Sequence, residues 1–261
     1  MATNNIFVKN LTKFFQTIWA IWAVFILFFS GIFAVIAYFL IFNLASPQNT
    51  YKYTWHVTRF WGNTILFFTL LRIKNIGKEL LDKEQNYVLV SNHVSAMDIP
   101  FCMAVCPVPF SFLAKSEVDK LPMVGYLARN MHVYVNRKNE ESRKHSFENM
   151  KQHMHKNRSI HIYVEGTRNT TTEPLNKFHD GAFKLAIELK KPIAVLTLVN
   201  VRNVVPFGAM QLRPGTVAAI WHEPIATTNM TEEDIPYLKE KVRQMMLADL
   251  VEYKEEMATF I

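Results

Sequence analysis

The sequence predicts an α/β fold: a mixed, mostly parallel sheet flanked by helices, preceded by an N-terminal helical hairpin embedded in a membrane. Three observations predict it. From residue 72 onward, short β-branched and aromatic runs alternate with helical patterns, the order expected of a largely parallel sheet with crossover helices. Polar residues gather where three of those runs end, after Val90, Val135 and Val164, and in such sheets ligands bind at the carboxyl ends of strands. Residues 14–51 carry no formal charge. The natural division is residues 1–71 as membrane-associating helices and residues 72–261 as an α/β domain.

Taken in order, Ile18 to Phe42 is almost wholly apolar and long enough to cross a hydrocarbon core. It is too long for the apolar part of a secretory signal. Trp19, Trp22 and Tyr38 near its ends suit a membrane interface. After Ser46-Pro47 a second apolar segment runs from Trp55 to Leu71, flanked by His56, Arg59 and Arg72. A true span followed by an interfacial helix is one reading; a hairpin that enters one leaflet and returns is the other. Lys9 and Lys13 precede the segment, and Lys52, Arg59, Arg72 and Lys74 follow it, so charge bias does not set an orientation. The hairpin is preferred, because it leaves the following domain on the side where the chain started.

Strands are expected at Ile73 to Lys78, Tyr87 to Val90, Phe110 to Ala114, Met131 to Val135, Ile160 to Val164, Ile193 to Val201 and Gly215 to Trp221. Helices are expected at Ile99 to Val105, Pro122 to Asn130, Glu140 to Lys156 (with Phe147, Met150 and Met154 on one face) and Phe178 to Leu189. The last helix opens at Thr231, with Glu232, Glu233 and Asp234 in its first turn, where negative charge favours a helix start. Ile235, Leu238, Val242 and Met246 give that helix an apolar stripe.

The chain turns on the stretch after the second strand, Ser91 to Pro100. His93 and Asp98 are five residues apart, about 140° around a continuous helix, and would not meet there. If the strand ends near Asn92 and a helix starts near Ile99, with Asp98 as N-cap and Pro100 in the first turn, the chain bends and brings imidazole and carboxylate together. A carboxylate on one ring nitrogen fixes the tautomer and leaves the other free to accept a proton from a hydroxyl.

Composition narrows the partner. Half of the 261 residues are hydrophobic, twenty are Phe, and the net charge is +7, which points to an anionic partner such as a membrane surface or a phosphorylated ligand. The basic residues are scattered and no nucleic-acid motif occurs, so nucleic acid is not expected as a partner. Cys102 and Cys106, i,i+4 in an apolar helix, lack the further ligands of a zinc site and are expected as core thiols. His145, His153, His155 and His161 have no carboxylate spacing that makes a metal site.

Glu165-Gly166-Thr167-Arg168 follows a strand and has the parts of an anion site: a glycine for close backbone approach, a hydroxyl, and a guanidinium fork. Arg137 ends another strand and could add charge. Four blocks then stand in order: Asn92-His93-x4-Asp98; Lys115-Ser116-Glu117 with Pro122, Gly125 and the downstream Val135-Asn136-Arg137; Glu165 to Arg168; and Phe178-His179-Asp180-Gly181-Ala182. Together they resemble the blocks of the glycerolipid acyltransferase family, of the kind that acylates 1-acyl-glycerol-3-phosphate in bacteria. The resemblance covers roughly residues 72–200.

The resemblance implies a glycerol-3-phosphate acyltransferase-like fold with His93 as general base and Asp98 as its orienting carboxylate. It implies a lysophospholipid acceptor, with lysophosphatidic acid going to phosphatidic acid, and acyl-CoA or acyl carrier protein as the donor. It places Lys115, Arg137, Glu165, Gly166, Thr167 and Arg168 around the substrate, with neither metal nor cofactor. It also implies the cytoplasmic side of a bacterial inner membrane, with membrane lipid as a partner. Three departures bear on the acceptor rather than on the His93/Asp98 pair. Lys191-Pro192-Ile193-Ala194-Val195 keeps one of two usual prolines, His179 stands where lysine is usual, and Tyr163-Val164 replaces Phe-Pro before Glu165-Gly166. They keep a lyso-aminolipid or another lysophospholipid open as the acceptor, and a non-catalytic membrane scaffold is the remaining alternative.

Overall fold

Alternation along each strand divides the apolar residues of the β runs into two sets, and each set has its own core. The computed structural model describes residues 2–115, 125, 131, 133–135, 139–156, 158–206 and 211–258. Among these, seven strands form one sheet: β1 (Leu71–Ile76), β2 (Val88–Ser91), β3 (Phe110–Lys115), β4 (Val133–Val135), β5 (Ser159–Tyr163), β6 (Ile193–Val199) and β7 (Gly215–Trp221). Their spatial order is β1-β7-β6-β2-β5-β3-β4. Every neighbouring pair is parallel except β6 with β7, so the sheet is mixed and mostly parallel, as the sequence predicts.

The helices are α1 (Ala2–Leu44), α2 (Pro47–Phe68), α3 (Asp98–Val105), α4 (Glu140–His155), α5 (Gly181–Glu188) and α6 (Ile235–Ala258). On one face of the sheet, Leu89, Leu196 and Leu198 pack with Ala20 and Ala23 of α1, Leu66 of α2 and Phe101 to Val105 of α3. On the other, Val88, Val90 and Val195 pack with Met150 and Met154 of α4, Phe183 and Leu185 of α5, and Leu238, Val242 and Met246 of α6. The central strands β2 and β6 are buried along their whole length, which is why they read as unbroken apolar runs rather than alternating ones.

The two N-terminal helices run antiparallel and are pinned by polar contacts. Trp19 Nε1 donates to the Thr69 carbonyl at 3.1 Å, Trp22 Nε1 to the Phe68 carbonyl at 2.9 Å, and Trp61 Nε1 to Ser30 Oγ at 3.0 Å. Tyr38 and Thr58 share a 2.6 Å hydrogen bond. Both helices begin earlier than the apolar pattern implies; Pro47 takes the first turn of α2, behind Ser46 as N-cap. Within Asn10–Leu44, α1 contains an 18-residue stretch of mean hydropathy 2.7 and is long and apolar enough to cross a membrane.

Other boundaries shift for local reasons. The first strand is Leu71–Ile76 and stops at Gly77, whose φ of 73° and close approach to the Trp221 carbonyl leave no room for a Cβ. The strand expected to reach Val201 stops at Val199, where Asn200 adopts a φ of 72° and a single helical turn, Val201–Val204, begins. The helix expected from Phe178 starts at Gly181. Thr231 and Asp234 form a capping box, on a 3-10 turn that leads into α6. The helix expected at Pro122 to Asn130 lies outside the described residues except for Gly125, which is helical and buried.

Candidate active site

Asn92 ends β2 by turning its amide sideways onto β6. Its Nδ2 donates to the Leu198 carbonyl at 2.9 Å and its Oδ1 accepts from Leu198 N–H at 2.8 Å. With the strand fixed there, the chain bends through residues 93–97 and enters α3. Asp98 is the first residue of that helix rather than its N-cap, which is Met97. Its side chain folds back instead of capping. Asp98 Oδ2 accepts from Val94 N–H at 2.7 Å, from Ser95 N–H at 2.8 Å, and pairs with His93 Nδ1 at 2.7 Å. Three donors on one carboxylate oxygen outweigh the single bond a cap would offer. The Asp98 side chain is fully buried, and that of His93 is 14% exposed. The expected pairing of His93 with Asp98 is thus present, with Nε2 as the ring nitrogen left to exchange a proton.

Glu165, just past β5, holds the same loop from the other side. Its Oε1 accepts from His93 N–H at 2.8 Å and its Oε2 from Asn176 N–H at 2.7 Å, and the residue is 2% exposed. The His93 carbonyl in turn accepts from Asn169 N–H at 2.7 Å. His93 is therefore braced at its ring, its N–H and its carbonyl. Burial raises the Glu165 carboxyl above its ordinary range, partly offset by the Asn176 and His93 N–H groups and by the charges of His93 and Arg202.

The remaining expected residues spread along one rim. Gly166 adopts a φ of 71° and turns the chain, and Thr167 and Arg168 are exposed beyond it. Lys115 is the last residue of β3, with its side chain outside the described residues, as is Arg137 altogether. Cys102 and Cys106 are buried free thiols, as expected. Among the described residues no group of three or more metal-ligating side chains occurs.

Three contributors lie outside the site residues expected from the sequence. Tyr163 lies flat against the His93 ring, with centroids 3.9 Å apart and planes at 14°. Asn92 acts through the clamp on β6. Arg202, on the helical turn after β6, reaches the Asn169 and Glu173 carbonyls at 3.4 and 3.3 Å and stands close enough to Glu165 to favour its charged form. For Asn92, its place at the end of an all-apolar run was the available signal; for Arg202 there was none. Asn169, in an Asn-Thr-Thr pattern that could mark glycosylation, is 1% exposed and bonded to Thr171 and Glu173.

The chain is similar in sequence and in fold to known acyltransferases. Along 201 residues the chain is 27% identical to a 1-acyl-sn-glycerol-3-phosphate acyltransferase of Saccharomyces cerevisiae, over 76% of this chain and 66% of the relative. It is 30% identical over 150 residues to a lyso-ornithine lipid O-acyltransferase of Pseudomonas aeruginosa, covering 58% and 56% of the two chains. The chain thus spans two thirds or less of the length of these curated relatives. The fold matches the crystal structure of the 1-acyl-sn-glycerophosphate (LPA) acyltransferase PlsC from Thermotoga maritima, with a TM-score of 0.77 at 21% identity over 93% of this chain and 98% of that one. Residues 72–199 match the family model described as Acyltransferase, and they include His93, Asp98 and the Glu165 to Arg168 turn.

Proposed function

We propose that this chain is an O-acyltransferase that moves a fatty acyl group from a thioester, acyl-CoA or acyl carrier protein, to the free hydroxyl of lysophosphatidic acid, giving phosphatidic acid. The observation that carries the reading is the 2.7 Å contact of His93 Nδ1 with buried Asp98 Oδ2, inside the stretch that matches the Acyltransferase family model. His93 Nε2 takes the hydroxyl proton as the oxygen attacks the thioester carbon. The C–O bond forms, the C–S bond breaks, and the imidazolium returns the proton to the leaving thiolate. The step balances with a base and positioning alone, so no resident metal or cofactor is called for. Asp98 holds the ring and faces the positive charge the ring acquires.

Thr167 and Arg168, exposed on the rim, are offered as acceptor contacts, with Lys115 and Arg137 assigned to the substrate by family resemblance. Gly166 makes the turn that presents them. Glu165 is offered as a positioning residue, since both its oxygens are occupied by backbone N–H groups. The N-terminal helices, residues 1–71, would hold the α/β domain, residues 72–261, at a bilayer. The net charge of +7 favours anionic lipid. The cytoplasmic face of a bacterial inner membrane is the proposed location.

The test is thiol release by the full chain in detergent, with acyl-CoA and with acyl carrier protein thioester, against lysophosphatidic acid, lyso-ornithine lipid and other lysophospholipids. Release with lysophosphatidic acid, falling about 10³-fold in His93→Ala, is the expected result. Turnover confined to lyso-ornithine lipid would keep the chemistry and replace the acceptor. Undiminished turnover in His93→Ala would remove the mechanism.

A further inference from the structure

His93 is held by a carboxylate at its edge and by an aromatic ring on its face. Tyr163 is in register with Ser91 across the parallel β2–β5 pair, which brings its ring beside the residue two positions beyond Ser91. The His93 and Tyr163 rings stack at 3.9 Å and 14°. Phe112, on the strand beyond β5, lies parallel to Tyr163 with planes also at 14° and centroids 6.1 Å apart. His161 meets Tyr163 edge-on, at 4.9 Å and 77°.

The phenol is anchored as well. Tyr163 OH donates to Cys102 Sγ at 3.8 Å, and that sulfur lies 3.6 Å from His161 Nε2. Cys102 is four residues after Asp98 on α3, so one helix face carries both the carboxylate on the imidazole edge and the thiol that ties down its platform. These groups are uncharged. Burial, and after it the neighbouring Cys102 and Asp98, hold the Tyr163 phenol well above its usual range. Burial, and after it the charge of His93, lowers His161 to about 3. Beside His93, then, are a neutral ring face and a neutral second imidazole that adds no competing positive charge.

We propose that Tyr163 is a positioning residue for the acyl transfer, holding the His93 imidazole in plane and stabilising, through its π face, the positive charge the ring gains when it takes the acceptor's proton. This inference rests on His93 being the base. A neutral aromatic ring attracts a cation over its face, and the imidazolium forms only as the hydroxyl is deprotonated, so the attraction favours the transition state over the ground state. The contact uses the ring, with the hydroxyl serving only as an anchor.

The test compares the full chain with Tyr163→Leu, Tyr163→Phe and a series carrying progressively fluorinated phenylalanines at 163, which weaken the π face while keeping a ring. Tyr163→Leu should lower kcat about tenfold with little change in KM, and Tyr163→Phe should restore most of the loss. The NMR signal of the labelled His93 ring should lose its ring-current displacement in Tyr163→Leu and keep it in Tyr163→Phe. Across the fluorinated series, which stays usable should the leucine variant not fold, kcat should fall stepwise. A flat series, or Tyr163→Phe as impaired as Tyr163→Leu, would overturn the proposal. Activity surviving in His93→Ala would instead overturn the base assignment, and the ring-current measurement would still report whether the stack exists.

Discussion

At the scale of single residues, Glu165 links the sheet to the candidate base, since both its oxygens take backbone N–H bonds in a site that is 2% exposed. In Glu165→Gln the side-chain amide can accept from one of these donors and must face the other with its own NH2, leaving a buried donor unmet at a cost of about 1–3 kcal/mol. Chemical unfolding in detergent should show that loss, and kcat should fall with it. The pH dependence has a definite sign. A carboxyl raised in the folded state contributes stability that is fully present below its unfolded range and lost as pH rises through the raised folded value. The stability difference between wild type and Glu165→Gln should therefore shrink as pH rises from the ordinary carboxylate range, and a difference that grows would refute the assignment. Of this site, the His93–Asp98 pair was legible in the sequence because five residues and one bend bring the groups together. Glu165 was legible as a residue of interest but not in its direction. Tyr163 meets His93 only through the β2–β5 register, and no spacing along a single chain encodes the partner of a parallel strand.

At the scale of elements, the junction of α2 with α3 ties the N-terminal helices to the site. Gly62 sits in the interior of α2, where glycine costs about 1 kcal/mol relative to alanine. The close approach accounts for it: a Cβ there would lie 2.9 Å from Met103 Cβ and 3.0 Å from the Pro100 carbonyl. Those atoms belong to α3, which carries Asp98 at its first position. Gly62→Val should thus push α3 off its seat, with a destabilisation of about 1–3 kcal/mol, a drop of about 3–10 °C in unfolding temperature, and a loss of kcat as Asp98 shifts from His93. Thermal unfolding and turnover together check it; a stable variant with full activity would show that α2 does not set the position of α3. The identity of nearly every described element was legible from hydrophobic period. Ends were less so, because what stops an element is local: the Trp221 carbonyl against Gly77, or the left-handed turn at Asn200. Helix α1 exceeded its apolar core because its polar N-terminal turns continue the helix without any residue that breaks it.

For the whole molecule, the distribution of exposed apolar area separates the α/β part from the N-terminal helices. Phe25, Phe28 and Phe29 of α1 are each more than half exposed. Trp22, Phe25, Phe29 and Phe33 form a continuous ladder of rings, with successive centroids 5.4–5.5 Å apart. A soluble protein rarely presents so large a contiguous apolar surface, and insertion into a bilayer, as proposed, would cover it. Burying the exposed half of a phenylalanine is worth about 1.5 kcal/mol. Replacing Phe25, Phe28 and Phe29 together by serine should thus cost about 4–5 kcal/mol of binding, on the order of 10³ in partition. The wild-type chain should float with anionic vesicles at low salt and retain much of that binding at 0.5 M salt, roughly where screening removes the contribution of the +7 net charge. The triple variant should float less well than wild type at 0.5 M salt and depend more on charge for what binding remains. Thiol release should persist for acceptor presented in detergent and fall for acceptor presented in vesicles, because none of the three residues touches the His93 site while all three face outward from it. A variant that still floats at high salt would place the anchoring on the other exposed apolar residues, such as Phe14, Phe33 and Phe39 of α1 or Phe60, Phe67 and Phe68 of α2.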